Sequence, residues 1–179
     1  MQLLADFFFA GTETTSTAIR WSFVYLLHHP YVQDRCYDEL RRVVGTERAP
    51  SMRDRAELTY VEATIMEVLR VANITPFTLQ HGLAEEVELR GYRLPKGSII
   101  LPSLQSVLHD PEIWDNPLDF QPERFIGPDG RLQRPEEFIP FGIGLYWVQL
   151  IMACHLLSVF IFLILLHLLS FFVKFVDFD

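Results

Sequence analysis

Cysteine is scarce in this sequence: Cys36 and Cys154 are the two it has, far apart and in no C-x-x-C or zinc-like spacing. That excludes a disulfide framework and a structural zinc site, and it suits a reducing compartment. A basic surplus is missing too. The net charge of −8 argues against a nucleic-acid partner, which would require a basic face. The start, Met1 to Asp6, has neither the basic segment nor the small-residue cleavage site of a secretory signal. No internal repeat and no low-complexity linker appears. The most telling absence is of charge over residues 138–173, which contain no Asp, Glu, Lys or Arg. After Phe138 the charged residues are Lys174, Asp177 and Asp179. Residues 1–137 therefore read as acidic and globular, with length enough for one ordinary domain, and the rest as something else.

The charged portion reads as mainly α with a small β portion. Residues 3–28 predict a helix that is apolar on most faces and hence largely buried. Gly11 sits inside it at a cost of about 1 kcal/mol relative to alanine. Pro30 stands where a first helical residue would and Gly45 where a cap would, giving a second helix over 30–44. In "LTYVEATIMEVLR", Thr59 and Glu62 have the spacing of a capping box, and Val61, Ile65, Val68 and Leu69 follow helical periodicity. Pro76 ends that segment. Val87, Leu89, Tyr92 and Leu94, then Ile99 to Leu101, predict short strands turned by "LPKG". Between 102 and 140, prolines at 102, 111, 117, 122, 128, 135 and 140 exclude a long regular element and predict a coiled, packed stretch.

Three groups could carry chemistry, and each has an ordinary reading beside the functional one. In "AGTETT", Ala10 to Thr15, a glycine permits close backbone approach and an acid beside a hydroxyl can relay protons. The alternative is a packing glycine with threonines bonded back to carbonyls. Glu67 and Arg70 form E-x-x-R on one helix face, which as an exposed pair would contribute about 0.2–0.5 kcal/mol. His81 alone is an exposed or internally satisfied histidine, or a ligand contact.

The order of these groups is informative. A-G-x-E-T-T is followed by E-x-x-R, a His before "GYRLPKG", then "HDPEIWDNPLDFQPERF" and "FIPFGIG". Residues 1–144 thereby resemble the C-terminal half of a cytochrome P-450, a haem-thiolate monooxygenase, in particular the microsomal group that hydroxylates lipids and foreign compounds. The resemblance implies an incomplete cytochrome P-450 fold with haem b as cofactor, a flavoprotein reductase as electron donor, a small apolar substrate and the endoplasmic reticulum membrane as location. It implies that Ala10 and Gly11 leave room for dioxygen and that Glu13 and Thr14 deliver protons to it. It makes Glu67, Arg70 and Arg124 of "PERF" a structural triad. It places His81 near a haem propionate, with Gly82 where a basic residue often follows, and Phe141 and Gly144 in the haem surroundings.

The pattern departs from the family after Gly144. The family continues from "FGIG" to an Arg and then to the cysteine that binds iron; here those positions are Tyr146 and Val148. Valine offers iron no lone pair, and the thiolate is also what favours O–O cleavage. Cys154 lies six residues late, and a thiol in apolar surroundings is a poor ligand. The expectation is of a chain with no metal ligand at the family position and no monooxygenase activity. The alternative function is a non-catalytic, membrane-associated fragment, or a mis-spliced or gene-model product, without stable haem. Residues 145–173 form an apolar tail long enough for a transmembrane helix, since roughly 20 apolar residues span a bilayer; residues 174–179 are a short polar end. That tail is either an evolved anchor or translation past an exon boundary.

Overall fold

The computed structural model describes residues 2–143, with side chains from Gly11 onward. Helix α1 (Gln2–His28) runs into α2 (Pro30–Val43), with the proline at the first turn of α2, where its missing N–H costs nothing. Val32, Cys36, Glu39 and Leu40 are the buried face of α2, at the spacing of one helical stripe. The helix ends on Gly45, whose N–H reaches the Arg41 carbonyl at 3.1 Å and whose φ of 81° turns the chain away from the helix.

Helix α3 (Thr59–Ala72) is the centre of the fold, buried on every side from Tyr60 to Arg70. Helices α1 and α2 pack on it, and so does the one-turn 3-10 segment Pro122–Phe125, hereafter the PERF turn. Trp114, Phe120, Phe125 and Phe138 complete the core around these elements. The Phe125 ring meets Trp114 at 5.7 Å and Phe138 at 5.0 Å.

The strand region is small and lies at the surface. Strands β2 (Val87–Leu89) and β3 (Tyr92–Leu94) form an antiparallel hairpin. Its two-residue turn holds Arg90 at φ 50° and Gly91 at φ 81°, the left-handed pair that matches strand twist. Strand β4 (Ile99–Ile100) pairs with β1 (His81–Gly82). Between Leu101 and Pro140 the regular elements are the four-residue α4 (Gln105–Leu108) and the PERF turn.

Three expectations are corrected. Helix α1 is not buried on most faces: from Gly11 on, Thr15, Ala18, Ser22 and Leu26 make one narrow buried stripe, while Trp21, Val24 and Leu27 are exposed. Small residues make up most of that stripe, with Leu26 its large member, and Trp21, Val24 and Leu27 lie off it. Thr59 does not cap α3. The Glu39 carboxylate of α2 accepts the Tyr60 N–H at 3.1 Å and the Val61 N–H at 2.9 Å, and Glu62 is held by Arg55 instead of reaching back. A carboxylate at a helix N-terminus answers both the orphan donors and the dipole, so the tertiary cap displaces the local one. Finally, "LPKG" does not fold β3 onto β4; Ile99–Ile100 pairs with His81–Gly82, a strand the sequence did not announce. Among the described residues no helix is long and apolar enough to cross a membrane. The tail over 145–173 lies outside them.

Candidate functional site

Among the described residues, charge is most completely taken out of water on α3. Glu67 and Arg70 are both fully buried. Their three-residue spacing puts them on one face of the helix, and the guanidinium fork closes on the carboxylate with Nε to Oε2 at 2.8 Å and Nη2 to Oε1 at 2.9 Å. Arg70 Nη1 donates to the Leu108 carbonyl at 2.8 Å and Nη2 also reaches that of Asp119 at 3.4 Å. The indole of Trp114 lies 5.1 Å from the same guanidinium, with its own N–H satisfied by the Val107 carbonyl.

Arg124 enters from the PERF turn and donates its Nε to Glu67 Oε1 at 2.9 Å. Its other nitrogens bond the carbonyls of Asp115 and Asp119 at 3.1 and 3.3 Å. The Gln121 N–H arrives at Glu67 Oε1 as well, at 2.9 Å. Glu67 thus accepts from two arginines and a main-chain amide, and two positive charges face one negative charge in a nearly dry setting. Such a cluster is tolerable because each polar group is met; removing one partner would strand the rest. Sequence spacing could pair Glu67 with Arg70, but the carbonyls of Leu108, Asp115 and Asp119 carry no side-chain signal. Neither does the Gln121 amide.

The remaining predicted residues are not gathered in this way. Ala10 and Gly11 lie on α1, and a Cβ built on Gly11 would meet nothing within 4 Å. Glu13 is exposed and accepts from the Thr17 hydroxyl at 3.5 Å; Thr14 beside it is half-buried. His81 is exposed on β1, opposite Ile100. Phe141 is half-buried against the core. Its neighbour Gly142, at φ 76°, passes close to the side chains of Thr78 and Leu104. Gly144, Val148 and Cys154 lie outside the described residues.

Does this set fit a haem? On the α1 side there is room beside Gly11, and the Thr15 hydroxyl is buried with no partner among the described residues. The family's iron-ligand position, Val148, lies outside the described residues. Cys36 is the cysteine among the described residues; it is buried between α2 and α3, 3.3 Å from the Thr64 hydroxyl. Burial pushes its thiol up to about 12, so it stays protonated and inward. No trio of His, Cys, Asp or Glu able to hold a metal occurs among the described residues.

Comparison with known proteins bears on this arrangement. The family described as Cytochrome P450 matches residues 1–145. The chain is 46% identical over 142 residues to cytochrome P450 2U1 of Bos taurus and, at the same identity and length, to that of Homo sapiens. It is 42% identical over 141 residues to cytochrome P450 2B2 of Rattus norvegicus. These matches cover 79% of the chain but 26–29% of the relatives, so the chain spans little more than a quarter of their length.

Proposed function

The chain belongs to the cytochrome P450 family, whose cofactor is haem, and on that premise we propose that it carries the scaffold of a monooxygenase without the activity. The parent reaction is insertion of one oxygen atom of O2 into an apolar organic substrate, with electrons from a flavoprotein reductase at the endoplasmic reticulum membrane. In that setting residues 1–144 are a partial haem domain. Glu67, Arg70 and Arg124 would hold its proximal side, Glu13 and Thr14 would occupy the proton-delivery positions of α1, and His81 would bond a propionate.

One observation carries the reading of lost activity: valine stands at position 148, where the family places its thiolate. An isopropyl group donates no electron pair to iron, and Cys36 is held in the core with a thiol that stays protonated. Tyr146, at the family's arginine position, brings no cation to a propionate. The second reading, a non-catalytic membrane-associated fragment, is supported by residues 145–173, an uncharged apolar run long enough to span a bilayer as one helix.

The test is turnover. With haem, a flavoprotein reductase, NADPH and a panel of apolar substrates, the full chain should form no hydroxylated product above a reductase-only control. Product formation overturns the reading, and its loss in Cys154→Ser would then assign the ligand to Cys154.

A further inference from the structure

Arg124 reaches Glu67 from a turn that cannot hold itself. A single 3-10 turn has few internal hydrogen bonds, and no side chain caps this one. Glu67 Oε1 nevertheless accepts three donors at 2.9 Å, from Arg70, Gln121 and Arg124, so small displacements of the turn would misplace two of them. Pro122 and Phe125 are buried at its two ends. Glu123, next to Arg124, goes elsewhere. Its Oε1 pairs with Arg35 of α2 and accepts the Tyr60 hydroxyl at 2.9 Å. The Arg35 guanidinium in turn lies 3.8 Å over the Tyr60 ring. Tyr60 and Glu67 are seven residues apart on α3, about 10 Å along the axis. Consecutive residues of the PERF turn therefore grip α3 at two points two helical turns apart.

We infer that Glu123 is a positioning residue: with Arg35 and Tyr60 it forms an outer clamp that sets the register of the PERF turn and so delivers Arg124 and the Gln121 amide to Glu67. The inference is independent of haem and of activity. Tyr60 belongs to both halves of the clamp's support, since its own main-chain N–H is held by Glu39. The α2 helix, through Arg35 and Glu39, thereby fixes both the start of α3 and the turn that docks on it.

The Gln121 N–H reports directly on that docking, because it ends on Glu67. Amide hydrogen exchange is read for the full chain in detergent micelles, with Val68 in mid-α3 as internal reference. Glu123→Gln should speed exchange at Gln121 by roughly fivefold, the equivalent of one lost partially exposed interaction, with Val68 unchanged. Tyr60→Phe, which keeps the ring under Arg35 but removes the donor, should act in the same direction. In an Arg124→Lys chain, Glu123→Gln should add no further acceleration. Unchanged exchange at Gln121 overturns the inference, as does equal acceleration at Gln121 and Val68, which is general loosening. An undiminished effect in the Arg124→Lys chain overturns it too. Should Glu123→Gln not fold, Tyr60→Phe decides by the same criteria.

Discussion

The α3 cluster and the segments around Gly11, His81 and Ile143 differ in where their polar and apolar groups end. Around Glu67 each charged group terminates on another group of the same chain: fork on carboxylate, guanidinium on carbonyl, amide on carboxylate. At the other segments Glu13 and His81 face solvent, and Ile143 is 88% exposed. A closed network specifies its own geometry. An open surface relies on whatever meets it. The first kind of region depends on no group outside it, so a valine at position 148 is compatible with an intact cluster.

The contrast is sharpest under mutation. Arg70→Ala should cost about 3–5 kcal/mol, because it leaves the Glu67 charge buried and unpaired; the midpoint of denaturant unfolding measures it. Glu67→Ala should be equally damaging, since it strands two arginines. Phe125→Ala should follow at about 3–5 kcal/mol through the cavity left between Trp114 and Phe138. Glu39→Ala should cost about 0.5–2 kcal/mol by uncapping α3, seen as fraying at Tyr60 and Val61 in amide exchange. On the open side, Ile143→Ser should stay within about 0.5 kcal/mol. A large loss there would erase the distinction between the regions.

Much of the closed region was legible because it is local. The periodicity of Val61, Ile65, Val68 and Leu69 placed α3, and the E-x-x-R spacing put Glu67 and Arg70 on one face. The prolines between 102 and 140 correctly excluded long elements. What could not be read was tertiary. The cap on α3 comes from Glu39, twenty residues upstream, and Thr59 with Glu62 had offered a purely local alternative. The partner of β4 is β1, a pair too short for alternation to show. The exposure of Trp21, Val24 and Leu27 follows from which stripe of α1 meets α3, a choice that average hydrophobicity concealed. Arg124 could be assigned to Glu67 through family resemblance but not from its spacing, because 57 residues separate the two.

A smaller effect is expected at acid pH. The Arg48 guanidinium, then the Ser51 N–H, hold the Asp54 carboxyl below the ordinary carboxylate range. The folded form thus binds fewer protons than the unfolded chain, and this contribution is full above the ordinary carboxylate pKa and lost as pH falls beneath it. Asp54→Asn should flatten the acid limb of stability against pH. It should lower stability slightly at neutral pH, where Asp54 is ionised, and leave the most acid region close to that of the parent chain.

The most direct measurement of the central contrast is an absorbance spectrum of the full chain expressed with haem available, then reduced and exposed to carbon monoxide. The expected spectrum lacks the band of thiolate-ligated iron while circular dichroism still shows a folded helical protein. A thiolate band of stoichiometric intensity would contradict the loss of function at position 148.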